Sequence, residues 1–156
     1  MAALRAALAA GRLAHGYLFS GAPGVGRRTL ARELVRAALC ERGGDDACDR
    51  CWSCQAVESG NHGDLAGPVI EAGKGGRGDA GAGTEAIGKR TVQLVSDEDR
   101  LIPVDSVRAL QRELSGRSSS GRCRAAVIPG AERMNEEAQN ALLKTLEEPA
   151  GDRLLI

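Results

Sequence analysis

Apolar positions along the chain switch between helical and strand spacing. From Leu4 to Ala10 they fall at helical intervals and stop at Gly11. Arg12 to His15 then lead into a short apolar run, Tyr17-Leu18-Phe19, which predicts a buried strand. Gly21-Ala22-Pro23-Gly24-Val25-Gly26 follows at once, and after it Leu30, Leu34 and Ala38 fall four apart on one helical face. The local order is strand, glycine loop, helix.

Residues 60–88 break the pattern, with glycine at 60, 63, 67, 73, 75, 76, 78, 81, 83 and 88. So much backbone entropy is hard to recover without buried side chains, so most of this stretch is expected to be a mobile insertion, with Pro68-Val69-Ile70 as one short strand inside it. Order resumes after Asp97-Glu98-Asp99. Asp105 is expected to cap a helix that carries Val107, Leu110 and Leu114 on one face and ends at Gly116. A Ser/Gly/Arg loop, Arg117 to Arg124, precedes a compact apolar run, Ala125 to Ile128, which Pro129-Gly130 ends as turns end buried strands. Asn135 caps the next helix, with Glu136 and Glu137 in its first turn, Ala138, Leu142 and Leu146 on one face, and Pro149-Ala150-Gly151 as its stop. Leu154-Leu155-Ile156 starts another strand. Parallel neighbours need helical crossovers, so this alternation predicts an open parallel α/β sheet.

Composition narrows the function classes. The chain has 156 residues, 42% of them hydrophobic, the size of one domain around a single core. Lys plus Arg and Asp plus Glu each number 21, so bulk charge supplies no attraction to nucleic acid or membranes. Trp52, Tyr17 and Phe19 are the only aromatic residues, which excludes an aromatic base-stacking platform and leaves a core of Ala, Leu, Val and Ile. No run approaches the ~18 apolar residues of a membrane span. The chain therefore reads as a soluble, cytoplasmic protein.

Gly21 to Arg28 has the spacing of G-x-x-x-x-G-K-[ST], in which backbone N–H groups cradle phosphates, Lys reaches them and a hydroxyl holds Mg²⁺. Here the last two positions are Arg27 and Arg28. A guanidinium still pairs with phosphate, but Arg28 offers no hydroxyl, and Thr29, about 100° further round the helix, points elsewhere. Hydrolysis would also need a carboxylate at the end of a neighbouring strand. Ile128 is followed by Pro129-Gly130, and Glu132 is two residues too late, so the loop is a P-loop in spacing and doubtful as an ATP site.

Cys40, Cys48, Cys51 and Cys54 place four thiols within fifteen residues, three of them at C-x2-C intervals. Four thiolates suit tetrahedral Zn²⁺ in a closed structural site. An iron–sulfur cluster is the rival, although position 58 holds Glu58 where a fourth cysteine would stand, and reactive thiols are a third reading. Cys123, beside a predicted strand, reads as an inert buried thiol. His15 and His62 have no partner at a catalytic spacing and read as structural or solvated. Arg117, Arg122 and Arg124 read as a solvated loop or as local phosphate contacts, and Lys144 and Glu148 as an i,i+4 pair.

The run His15-Gly16-Tyr17-Leu18-Phe19-Ser20-Gly21, the cysteine spacing and, most specifically, Asn140-Ala141-Leu142-Leu143-Lys144-Thr145-Leu146-Glu147-Glu148-Pro149 resemble the bacterial DNA polymerase III clamp loader family. The match spans residues 12–65 and 101–156. It implies a P-loop NTPase (AAA+) parallel-sheet core over residues 1–156, incomplete at both ends, with a zinc module inserted at 40–54 and a mobile glycine-rich insertion at 66–99. Two subunit types share these features, the ATP-hydrolysing gamma/tau motor and the delta-prime stator. Motor subunits keep Lys and Thr/Ser where Arg27 and Arg28 stand, and Asp-Glu where Pro129 and Gly130 stand, so the chain resembles the stator.

That resemblance implies no catalytic residues and an inactive P-loop at Gly21, Gly24, Gly26, Arg27 and Arg28. It also implies a structural zinc on the four cysteines. The partners implied are gamma/tau and delta in a hetero-pentameric ring that loads the sliding clamp onto primed DNA within a nucleotidyltransferase holoenzyme. An ATP-hydrolysing motor subunit is the alternative. The arginine that such stators lend a neighbour, and the collar domain, would lie beyond Ile156, so the chain is expected to be part of a longer product.

Overall fold

The computed structural model describes residues 2–67, 101–148 and 151–156. Its elements alternate as expected of an α/β chain: α1 (Ala2–Ala9), α2 (Arg27–Leu39), α3 (Trp52–Glu58), β1 (Leu65–Ala66), α4 (Val104–Leu114), β2 (Arg124–Ala126), α5 (Glu136–Glu147) and β3 (Arg153–Leu155), with a 3-10 turn at Ala131–Arg133. The three strands form a parallel sheet in the order β1-β2-β3, with Leu65 opposite Ala125 and Ala125 opposite Leu154.

Strand period explains why both faces are covered. Successive side chains point to opposite faces, so Ala125, Val127 and Leu154 join Leu34, Val35 and Leu39 of α2 on one side. Ala126, Ile128 and Leu155 join Leu110 and Leu114 of α4 and Ala138 of α5 on the other. The helices of the second face are also joined at their starts and along their lengths. Ile102 N–H donates to the Arg133 carbonyl at 2.8 Å, and Gln111 Nε2 donates to the Ala141 carbonyl at 2.7 Å and to Thr145 Oγ1 at 2.8 Å.

Several expectations hold in detail. Asn135 caps α5, its Oδ1 accepting from Ala138 N–H at 2.9 Å. Gly11 ends the first helical segment at φ +61°. Others need correction. Tyr17-Leu18-Phe19 does not form a strand: only Gly16 bridges to Leu155, with Tyr17 N–H donating to the Leu155 carbonyl at 2.8 Å. Past that point β3 offers the segment no further ladder, and Leu18 stands 83% exposed. Asp105 does not cap α4. Pro103 holds the N-cap position, and Asp105 lies inside the first turn, where a carboxylate still favours the helix dipole. Ala66, assigned to the glycine-rich insertion, belongs to β1, an unexpected strand. Residues 68–99 of that insertion, with its proposed strand at 68–70, lie outside the described residues. Lys144 and Glu148 are exposed and do not pair.

Leu110 is 1% exposed between the sheet and α5. Replacing it with Ala is expected to lower unfolding free energy by about 2–5 kcal/mol, whereas Asn135→Ala should cost only about 1 kcal/mol. Urea unfolding followed by circular dichroism distinguishes the two.

Candidate metal centre and glycine loop

Helix α2 joins the two sequence-level motifs, with the glycine loop at its start and the first cysteine at its end. Gly21, Gly24 and Gly26 have φ of +153°, +82° and +88°, and Gly26 is the N-cap of α2. A Cβ at Gly24 or Gly26 would meet no atom within 4 Å, so conformation and not space requires glycine there. Arg27 opens the helix half-buried, while Arg28 and Thr29 are exposed. Past the end of β2, Ile128 runs into Pro129 and then Gly130 at φ +67°, where a Cβ would approach the Arg133 guanidinium to 2.4 Å. The left-handed backbone at that position favours glycine, and Glu132 lies exposed on the 3-10 turn beyond it. The structure therefore brings no carboxylate from this strand end to the loop.

Cys40 is the C-cap of α2 and is fully buried. Gly43 and Gly44, at φ +66° and +112°, turn the chain back, and Asp49, at φ +57°, makes the tight reversal between Cys48 and Cys51. An aspartate tolerates this left-handed conformation better than most side chains. Cys51 is the N-cap of α3, its Sγ accepting from Cys54 N–H at 3.4 Å, so the helix start fixes two thiols together. All four Sγ atoms lie within 4.8 Å of one another, and Cys48 and Cys54 stand 4.0 Å apart. Tetrahedral zinc with bonds of about 2.3 Å needs sulfur–sulfur edges of about 3.8 Å. The four thiols can close on one metal ion with little movement.

The surroundings hold this geometry from outside. Arg36 pairs with Glu33 at 2.9 Å and Glu58 at 3.2 Å, and also with Asp49, tying α2 to the Cys48–Cys51 reversal and to α3. Burial alone would depress the guanidinium pKa, but the three carboxylates outweigh it and raise the pKa. Among the thiols, N–H donation from Arg50 and Cys51 holds Cys48 down to about 6, whereas burial pushes Cys54 up to about 12. Cys123 lies apart from the cluster. Burial, with the charges of Asp152 and Asp64, pushes its thiol up to about 11, in keeping with an inert side chain.

His62 is 2% exposed and stands outside the group of four thiols. Its Nδ1 accepts from Asp64 N–H at 3.1 Å and its Nε2 lies 3.2 Å from Ser53 Oγ, the pattern of a neutral ring. Burial lowers its pKa, outweighing the carboxylates of Asp64 and Glu41. His15 is bound to the Leu146 carbonyl at 2.9 Å. Two of the three loop arginines are engaged within the fold: Arg122 donates to the Glu41 carbonyl at 2.7 Å, and Arg124 donates to the Glu113 carbonyl and to the Arg117 carbonyl at 3.1 Å.

Asp64 escaped the sequence reading. It is 1% exposed, and its carboxylate accepts from Ser118 Oγ at 2.9 Å, Ser119 N–H at 2.7 Å and Ser120 N–H at 2.8 Å. The run of three serines was visible, but nothing local connects it to an acid more than fifty residues earlier.

Comparison with known proteins shows the family. A family model described as "DNA polymerase III, delta subunit" matches residues 1–156, and the chain belongs to that family. It is 31% identical to DNA polymerase III subunit delta' of Bacillus subtilis over 93% of the chain and 36% of that relative. With the delta' subunit of Pseudomonas aeruginosa the identity is 33%, over 92% of the chain and 36% of the relative. It is also 32% identical to subunit tau of Escherichia coli over 96% of the chain but 19% of that protein. The chain spans about a third of the length of the delta' relatives.

Burial alone would raise the Asp64 pKa, but the three serine donors outweigh it and hold it well below the ordinary 3.8. With the folded value below the unfolded one, the ionised carboxylate stabilises the fold at higher pH, and this contribution is lost as pH falls below about 4 toward the folded value. Asp64→Asn is expected to flatten the acid limb of a stability–pH curve measured by urea unfolding, while lowering stability at pH 7.

Proposed function

We propose that this chain forms part of a non-catalytic stator of the replicative clamp loader, built on an AAA+ P-loop core with a structural zinc. The observation that carries the reading is the pairing of a phosphate-loop backbone with the wrong side chains for Mg-ATP chemistry. Gly26 opens α2 as a phosphate cradle would, yet Arg27 and Arg28 stand where the amine and the metal-binding hydroxyl belong. The strand end that would supply the carboxylate offers a left-handed glycine instead. Both halves of a hydrolytic site are wanting together.

Four cysteine ligands leave no open coordination position, so zinc would hold the 40–54 excursion together and do no chemistry. The delta' and tau names of the relatives support a place in DNA polymerase III. The partners we propose are gamma/tau and delta in a five-membered ring that loads the sliding clamp onto primed DNA in the cytoplasm. Among the described residues no helix is long and apolar enough to cross a membrane.

The zinc-loaded full chain is expected to release no phosphate from Mg-ATP above a blank, and the double variant Arg27→Lys, Arg28→Thr should bind ATP more tightly than the parent. Turnover by the unsubstituted chain would overturn the stator reading and make Arg27 the first residue to replace. Metal analysis should find one zinc and no iron per chain, with the zinc lost on chelation and in the variant Cys54→Ser.

A further inference from the structure

Two tethers join the cysteine module to the loop 116–122 that leads into β2. One starts at Ser53, next to Cys54. Ser53 Oγ lies 3.2 Å from His62 Nε2, His62 Nδ1 accepts from Asp64 N–H, and the Asp64 carboxylate holds Ser118, Ser119 and Ser120. The other starts next to Cys40. Arg122 donates to the Glu41 carbonyl at 2.7 Å, and its guanidinium covers Gly43, where a Cβ would meet Nη2 at 3.3 Å. Glu41 Oε1 lies 3.3 Å from both Ser53 N and Ser53 Oγ, which joins the two tethers at the module.

We propose that metal loading at the four cysteines controls the order of the loop 116–122 and so the entry into the central strand. The proposal rests on the four-thiolate zinc reading above. Residues 116–122 read Gly-Arg-Ser-Ser-Ser-Gly-Arg, with no apolar side chain to bury. Their order therefore depends on the hydrogen bonds that hold them. Apart from local bonds such as that of Arg124 to the Arg117 carbonyl, they lead back through Arg122 to Glu41 and through Asp64 and His62 to Ser53, each one residue from a proposed ligand, Cys40 or Cys54. Metal joins Cys40 and Cys54 to one centre, and the free energy of binding a structural metal is largely free energy of ordering its surroundings. Removing it leaves only the Glu41–Ser53 hydrogen bonds to hold these two residues together, and both tethers slacken. Coupling of this kind is reciprocal, so an ordered loop must tighten metal binding by the factor with which metal orders the loop.

Amide hydrogen exchange on the full chain, with zinc content measured in parallel, tests this. Chelation is expected to speed exchange at Ser119 and Ser120 by about tenfold or more, the scale of a charge-assisted hydrogen bond, while the amides of α4 and α5 stay protected. Zinc-loaded Asp64→Asn should exchange as fast at the loop as the chelated parent, with a zinc Kd weakened by a matching factor. Ser53→Ala removes no buried charge, and should keep its zinc while losing part of the difference between loaded and chelated states. Loop exchange that ignores chelation in a zinc-binding parent overturns the coupling and leaves the zinc reading standing. Loop, α4 and α5 opening together on chelation overturns it as a local linkage. Failure to bind zinc overturns both.

Discussion

A carboxylate with 1% of its residue exposed keeps its charge only where donors replace the water it has lost, and that requirement at Asp64 organises much of this fold. Its donors come from Ser118, Ser119 and Ser120, so satisfying it fixes the loop that precedes β2. The Asp64 carbonyl also accepts from Ala125 N–H at 2.8 Å, so backbone and side chain of one residue impose the same placement. β1 contributes only Leu65 and Ala66 to the sheet, and so short a strand specifies its register weakly by side-chain alternation alone. The buried charge adds the missing constraint. With β2 placed, Ala125 and Ala126 fall on opposite faces and the two helical layers can pack against the sheet.

How much of this was legible in the sequence followed the range of the interactions. The glycine loop, the α5 cap at Asn135 and the cysteine cluster are set by neighbours a few residues apart, and spacing alone located them. Tyr17-Leu18-Phe19 has strand composition, yet a strand exists only where a partner does, and the pairing with β3 stops at Tyr17. Asp105 sat two residues too far along to cap α4 because the extended backbone at Pro103 already starts the helix there. The Asp64 cradle joins residues 54 to 56 positions apart, and β1 is two residues long; neither leaves a periodic trace. Arg122 and Arg124 looked like free positive charges for the same reason, since the carbonyls they bind carry no signature in sequence.

Helix α2 accounts for the form of the glycine loop without any appeal to a nucleotide. Its thirteen residues span about 20 Å, with Gly26 at one end and Cys40 at the other. Ala31, Leu34, Val35, Ala38 and Leu39 between them are buried against the sheet, so the position of the N-terminus is set by packing along the whole helix. Left-handed Gly26 is needed simply to bring the chain from the end of the loop into that helix. The backbone around Arg27 and Arg28 is therefore set by the packing of the helix and not by what those two side chains bind. The same packing delivers Cys40 to the thiol cluster, and Arg36, one turn earlier, to the carboxylates of Asp49 and Glu58. On this view, α2 keeps the form of the loop because the helix is needed at its other end, where the four cysteines meet.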